Sequence, residues 1–138
     1  MIQKITITTK AKKEVMDITK ILNDLVMKNN YPEGIALIFL HHTTAAITIA
    51  DMDPETDKDY LDAFGEIIPK LNYRHPHDPQ HVDSHILSAT IGTSLVLPVQ
   101  SANILLGQYQ RIVLCEFDGP KERRISVSFL PLTSRTDY

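Results

Sequence analysis

The six histidines of this 138-residue chain lie in only two short segments, and an imidazole can exchange protons or bind a metal ion near neutral pH. Four of them fall between residues 73 and 85, in a stretch that also contains Asp78 and Asp83. The other two, His41 and His42, come directly before a Thr-Thr-Ala-Ala run. Such a distribution is typical of one site drawn from two parts of a fold. The alternative is a polar surface loop that happens to be rich in histidine.

Neutral imidazoles beside carboxylates suit zinc or another divalent ion, because the ring nitrogens bind the metal and the carboxylates orient the rings. His81 and His85 are four residues apart and would share one face of a helix. Asp83, however, is the predicted N-terminal cap of a helix over residues 84–91, which leaves His81 outside that helix. The sequence has neither an HExxH motif nor the Cys and His spacing of a zinc finger, so the metal prediction rests on residue types.

Hydroxyl and backbone groups near the histidines could bind an anion. The predicted helix begins at Ser84, where unpaired backbone N–H groups would form an anion site next to the histidines. Thr43 and Thr44 follow His42 and could donate hydrogen bonds to an anion, or could satisfy backbone groups instead. These features predict a site that could bind a small anion.

Charged residues late in the chain offer acid–base and phosphate-binding chemistry. Glu116 lies among apolar residues of a predicted strand, where burial can perturb the pKa of a carboxyl group. Gln110 has the same parity on that strand, and at roughly 3.3 Å per residue the two lie about 20 Å apart. Lys121, Arg123 and Arg124 follow a turn and could bind phosphate, the arginines through paired N–H donors, or could form a solvated turn.

The elements that must position these side chains follow from the hydrophobic periodicity. Helices are predicted over 11–28, over 54–68 with Asp53 as cap, and over 84–91. Strands are predicted at 2–7, 35–40, 45–50, 94–99, 104–106, 108–117 and 124–130. The run 35–40 is apolar throughout, which predicts a strand buried on both faces. The whole chain, 1–138, is therefore expected to form one α+β domain of about seven strands and three helices.

Composition excludes several classes of protein. Hydrophobic residues make up 43% and charged residues 22%, as in ordinary globular proteins, and the net charge of −3 gives no attraction to nucleic acid or to an anionic membrane. The lone Cys115 excludes an internal disulfide and suits a reducing compartment. The first residues lack the apolar core of a signal peptide, and no run reaches membrane-spanning length, so we expect a cytoplasmic protein with no membrane partner.

Five segments of the sequence together resemble the YjbQ-like proteins, the family labelled secondary thiamine-phosphate synthase. They are His42-Thr-Thr-Ala-Ala-Ile-Thr-Ile, Asp53-Pro54, Tyr73-Arg-His75, Asp83-Ser-His85-Ile and Leu106-Gly-Gln-Tyr-Gln110-Arg-Ile-Val-Leu-Cys-Glu116. The similarity covers nearly the whole chain. It implies an α+β fold of two packed, mainly antiparallel sheets with two to three helices. It also implies a homotrimer whose sites lie near subunit boundaries, which would ease the separation of Gln110 from Glu116.

The resemblance also implies a set of functional positions. These are His42, His75, His85, Gln110, Glu116 and Arg124. We expect the imidazoles of His42, His75 and His85 to converge as ligands of a zinc or magnesium ion, and His77 and His81 to be more exposed.

The chain departs from the family pattern at two places close to these positions. Ala50-Asp51 stands where many members carry Asn-Glu after the Thr-Ile run, and the segment is one residue shorter. Residues 76–81 stand where many members have an acidic Gly-Pro segment. Both differences would affect the preference for metal or substrate.

Three functions follow as hypotheses. The first is an enzyme that joins a pyrimidine pyrophosphate to a thiazole phosphate and releases pyrophosphate, with Arg123, Arg124 and Ser84 holding phosphates and a divalent ion screening the leaving group. The second is metal-dependent hydrolysis of a small phosphorylated or acyl compound, in which Glu116 or Asp51 activates a metal-bound water. The third is a trimeric protein that binds a metal ion or a small anion without turnover.

Overall fold

The computed structural model describes residues 2–76 and 81–132, which form eight strands and three helices. The strands are β1 (Ile2–Thr8), β2 (Glu14–Asp17), β3 (Glu33–Leu40), β4 (Ala45–Ala50), β5 (Ser94–Gln100), β6 (Asn103–Ile104), β7 (Arg111–Glu116) and β8 (Glu122–Pro131). The helices are α1 (Thr19–Lys28), α2 (Thr56–Ile67) and α3 (Val82–Ile91). No helix in these ranges is long and apolar enough to cross a membrane.

Two antiparallel sheets form the α+β fold that the sequence predicts. A five-stranded sheet has the order β1-β8-β3-β5-β6, and a three-stranded sheet has the order β2-β7-β4. Strand β7 is buried on both faces because Ile112 and Leu114 belong to one apolar cluster while Val113 and Cys115 belong to another. The first cluster fills the space between the two sheets and also includes residues of α1. The second includes residues of α3 and has α2 packed against it.

The prediction that residues 35–40 are buried on both faces is wrong. In β3 the side chains of Ala36, Ile38 and Leu40 are at most 1% exposed, whereas Leu37 is 36% and Phe39 41% exposed. The physical reason is that no described element covers the second face of the five-stranded sheet. We call that face the outer sheet face; its exposed apolar residues are Ile2, Leu37, Phe39, Val96 and Leu130.

The predicted helix over 11–28 is correct only from Thr19 onward. Residues 14–17 instead form β2, which pairs with β7 so that Val15 lies opposite Cys115. The carboxylate of Asp17 accepts the N–H of Thr19 at 2.9 Å, which turns the chain into the helix. The apolar spacing of this stretch fits a helix, but hydrogen bonding to β7 decides the local structure.

The other two helices begin away from their predicted caps. Helix α2 begins after Glu55, which adopts a left-handed backbone with φ of 75°, because the carbonyl of Asp53 accepts the N–H of Thr56 in a turn before the helix. In α3 the cap position is His81. Asp83 therefore lies in the first turn, where its negative charge interacts favourably with the positive end of the helix dipole.

The hairpin between β5 and β6 confirms the turn predicted near Ser101 and contains backbone strain. Ser101 and Ala102 have φ of 50° and 62°, a region that strains a residue with a Cβ atom by about 1–2 kcal/mol. We expect Ala102→Gly to raise the free energy of unfolding by about 0.5–1 kcal/mol, because relief of strain exceeds the entropy lost with glycine. Chemical denaturation measures this value.

The matched control for this substitution is Ala63→Gly, which removes the same methyl group from an exposed position in α2. It should lower the free energy of unfolding by about 1 kcal/mol. Equal destabilisation by both variants would contradict the assignment of strain to the hairpin.

Candidate functional site

A cleft of about 700 Å³ opens between the end of β3, the segment 41–44 and one side of α3. Its lining includes His41, His42, Thr43 and His85. We call it the histidine cleft. Its volume is within the range of about 300–1,000 Å³ that is usual for small-molecule sites.

Two serines one helical turn apart fix α3 beside this cleft. The hydroxyl of Ser88 donates to the carbonyl of Ala45 at 2.7 Å, and that of Ser84 donates to the carbonyl of Phe117 at 3.1 Å. Both serines are buried. Ser84, predicted to bind substrate, therefore uses its hydroxyl to position the helix that carries His85.

Backbone hydrogen bonds assign opposite roles to two of the imidazoles that line the cleft, those of His42 and His85. The Nε2 atom of His42 accepts the N–H of Arg124 at 2.8 Å, so the ring is neutral and carries its proton on Nδ1. The Nδ1 atom of His85 lies 2.9 Å from the carbonyl oxygen of Thr43, which can only accept. His85 therefore carries its proton on Nδ1, and Nε2 is the acceptor of its neutral form.

Electrostatics favour the neutral form of His42. Burial lowers the pKa of His42, and the positive charges of Arg123 and Arg124 lower it further against the smaller opposing effect of Glu116. The ring therefore stays neutral near pH 7, as an accepting Nε2 requires.

The structure places His75 against His85, with ring centroids 5.0 Å apart. Together with the shared cleft, this brings the three histidines of the predicted site into one region of the fold. His77 lies outside the described residues. His81 and His75 are both half-buried, so His81 is not the more exposed of the two as expected. His81 is partly buried because it lies at the start of α3.

The donor set does not fit a three-histidine metal site. The Nε2 lone pair of His42 is used by the N–H of Arg124, so His42 does not join His75 and His85 as a third ligand, whereas a catalytic zinc ion takes three protein ligands. Within 2–76 and 81–132, no three His, Cys, Asp or Glu side chains gather so as to hold a metal ion. The prediction of zinc or magnesium stays a prediction.

Glu116 and Arg123 form a buried ion pair next to the cleft. Both are at most 1% exposed, and the arginine reaches both carboxylate oxygens, with Nε 2.8 Å from Oε2. The hydroxyl of Thr9 donates to Oε2 at 2.8 Å, and the N–H of Asp118 donates to Oε1 at 3.0 Å. The guanidinium also donates to the hydroxyl of Thr44 at 2.9 Å, so this threonine belongs to the same network.

This network conflicts with the predicted acid–base role of Glu116 and with phosphate binding by Arg123. Burial raises the pKa of Glu116, but hydrogen bonds from Arg123, Asp118 and Thr9 outweigh that effect and hold the pKa below its usual value. The carboxylate is thus ionised and enclosed. Arg123 and Arg124 are neighbours on an extended strand and point to opposite faces, so only Arg124 is exposed.

Gln110 and Asp51 lie at the other end of the three-stranded sheet. The register pairs Ala45 with Glu116 at the cleft end and Ala50 with Arg111 at the far end. Asp51 follows Ala50 there, and Gln110 precedes Arg111. One chain therefore does not bring either residue to the histidine cleft. The estimated strand length predicts this for Gln110, whereas Asp51 was expected to activate a water at the site.

The predicted set of site residues did not include His41 or Thr9. Of the two neighbouring histidines, it included only His42. The strand ends at Leu40, however, and both rings line the cleft. Thr9 carries no sequence signal, because its contact with Glu116 spans 107 residues.

We expect Glu116→Gln to lower the free energy of unfolding by about 3–5 kcal/mol, because the buried guanidinium of Arg123 loses its counter-charge. Asp24→Asn is the control, since Asp24 pairs with Lys20 at the surface, 2.6 Å apart, and should cost at most about 1 kcal/mol. Urea denaturation gives both values. Unchanged stability with reduced turnover would show that Glu116 takes part in chemistry and is not a scaffold residue.

Comparison with known proteins identifies the family. The UPF0047 protein YjbQ-like family matches residues 3–131. UPF0047 protein YugU of Bacillus subtilis is 34% identical over 131 residues, which cover 94% of this chain and 99% of YugU. A crystal structure of a protein of unknown function from Sulfolobus solfataricus P2 is 31% identical with a TM-score of 0.86, over 96% of this chain and 97% of that one. The crystal structure of a hypothetical protein from Aeropyrum pernix K1 is 26% identical in sequence and has a TM-score of 0.88. The match covers 96% of this chain and 99% of that one. The chain therefore belongs to the UPF0047 family of YjbQ-like proteins.

Proposed function

We propose that this protein is an enzyme that acts on a small phosphorylated compound in the histidine cleft. The observation that carries the proposal is the complementary protonation of the two imidazoles, since His42 offers an N–H donor and His85 offers an acceptor nitrogen. A neutral donor and a neutral acceptor in one cleft are the equipment of general acid–base catalysis. The proposal does not use Glu116, because that carboxylate is enclosed.

The reaction we propose first is transfer of the thiamine-phosphate synthase type, in which a thiazole phosphate displaces pyrophosphate from a pyrimidine pyrophosphate. The Nδ1–H of His42 would donate a hydrogen bond to the leaving pyrophosphate, whose negative charge grows as the bond breaks. Arg124 supports this role, since its N–H holds the ring of His42 and its exposed guanidinium adds positive charge nearby. This transfer removes no proton from a nucleophilic water.

A second candidate is hydrolysis of a small phosphorylated or acyl compound. It is favoured by the acceptor Nε2 of His85, because that nitrogen could take a proton from an attacking water while Nδ1 donates to the Thr43 carbonyl. The two reactions thus differ in whether His85 must act as a base. A protein that retains ligand without turnover would meet neither description and would be a binding protein.

We expect His42→Gln to lower turnover by about 10²–10⁴, because the amide can still accept the N–H of Arg124 but cannot replace the ring N–H donor. His85→Asn keeps a donor to the Thr43 carbonyl and removes the base, so it should lower hydrolysis by a similar factor and transfer far less. The measurement is pyrophosphate release and product analysis with both thiamine precursors, and separately with each one.

The control is His81→Gln, which changes a histidine outside the lining of the cleft. Its turnover should equal that of the unmodified chain. Equal turnover of all three variants would overturn the proposed site.

We further propose a homotrimer in which Gln110 of one chain completes the cleft of another. Two features support this: the exposed apolar residues of the outer sheet face, and the distance of Gln110 from the histidine cleft within one chain. Light scattering should return the mass of three chains. Turnover lost in His42→Ala and in Gln110→Ala should partly return when the two variants are co-expressed. A monomer mass, or no recovery on mixing, would contradict the shared site.

A further inference from the structure

A second cavity of about 360 Å³ adjoins the histidine cleft and shares His41 with it. Its lining includes Lys4, Thr6 and Arg124 from the outer sheet face. We call it the cationic cavity. The proposed reaction uses the charge of Arg124, but neither that reaction nor the packing of the sheets accounts for the charge of Lys4 beside it.

The strand register brings the two cations of this cavity together. In the antiparallel pairing of β1 and β8, Thr6 lies opposite Arg124 and Lys4 lies opposite Ser126. Lys4 and Arg124 are therefore diagonal neighbours, about 7–8 Å apart, a distance that two long side chains can close around one small anion. Both residues are exposed.

No carboxylate neutralises these two cations within the described part of the chain, where neither makes an ion pair. Glu122 lies two residues before Arg124 on the same face of β8, opposite Thr8, and is not in an ion pair in the described residues either. Like charges placed side by side on a sheet are unfavourable for folding. An anion between Lys4 and Arg124 would turn that repulsion into attraction.

Arg124 and His41 connect the cationic cavity to the proposed reaction centre. The backbone N–H of Arg124 holds His42 in the cleft, while its side chain lines the second cavity. The ring of His41 borders both spaces. Its Nε2 lies 2.9 Å from the hydroxyl of Ser126, and the ring of Phe39 packs against it nearly at right angles with centroids 4.8 Å apart. A ligand that reaches from one cavity to the other passes over this ring.

We propose that the cationic cavity is a second anion-binding subsite, which takes a phosphate or carboxylate group of a ligand whose reacting end lies in the histidine cleft. The substrate then carries an anionic group remote from its reacting bond, and Lys4 is a residue that selects it. This inference rests on the proposed function for the identity of the reacting end. The affinity of the cavity for an anion is measured separately from turnover.

The experiment is a titration of the ¹⁵N-labelled 138-residue chain with inorganic phosphate and, separately, with acetate. We expect phosphate to shift the amide resonances of Thr6 and the neighbouring strand residues. Lys4→Gln should weaken phosphate binding about fivefold, the effect of one solvent-exposed charge pair. Lys28→Gln, at the exposed end of α1, is the matched control and should leave the affinity unchanged. The tighter of the two anions identifies the chemical group that the subsite takes.

Equal affinity of the Lys4→Gln and Lys28→Gln variants would overturn the inference, as would shifts confined to the histidine cleft or no binding at millimolar phosphate. Turnover and phosphate affinity, measured on the same variants, separate the two proposals. If no variant or precursor gives turnover but Lys4→Gln still weakens phosphate binding, the proposed function fails and the anion subsite stands. If turnover depends on His42 while Lys4→Gln alters neither phosphate affinity nor KM, the proposed function stands and the subsite fails.

Discussion

The buried pair of Glu116 and Arg123 joins the two sheets, because Glu116 ends a strand of the three-stranded sheet and Arg123 begins a strand of the five-stranded sheet. Thr9 and Thr44, which extend the network, lie in the connections that follow β1 and precede β4. Every buried polar side-chain atom in the described residues has a hydrogen-bond partner. The histidine cleft is built at the same end, where the chain crosses from one sheet to the other between β3 and β4. Its geometry therefore depends on this ion pair.

Successive side chains of β8 point to opposite faces of the sheet, so that one arginine contributes to the core and its neighbour borders the cationic cavity. Arg123 points inward and holds Glu116, while Arg124 points outward and borders the cationic cavity. The peptide between them brings the N–H of Arg124 to His42. A single strand thus fixes the core, sets the tautomer of an imidazole and supplies a positive charge beside it.

The same architecture gives a single chain two features that support the proposed association with further copies. The outer sheet face exposes Leu37, Val96 and Leu130 to solvent, and the far end of the three-stranded sheet holds Asp51 and Gln110 away from the cleft. In the proposed homotrimer, association of chains would cover the apolar face and bring Gln110 of one chain to the cleft of another. Both features follow from the two-sheet architecture. No described element covers the outer sheet face, and the six residues of β7 separate the two ends of the three-stranded sheet.

The sequence by itself determined the fold class, the strands β4, β5 and β8, the hairpin turn at Ser101 and the two histidine segments, because these depend on local periodicity and turn chemistry. Only the tertiary structure decided that residues 14–17 are a strand, that Leu37 faces outward, and that Arg123 pairs with Glu116 inside while Arg124 stays outside. The physical reason is common to all three. The pattern of one segment records which of its side chains are apolar or charged. It does not record which distant strand hydrogen-bonds to it, or whether a further layer covers its second face.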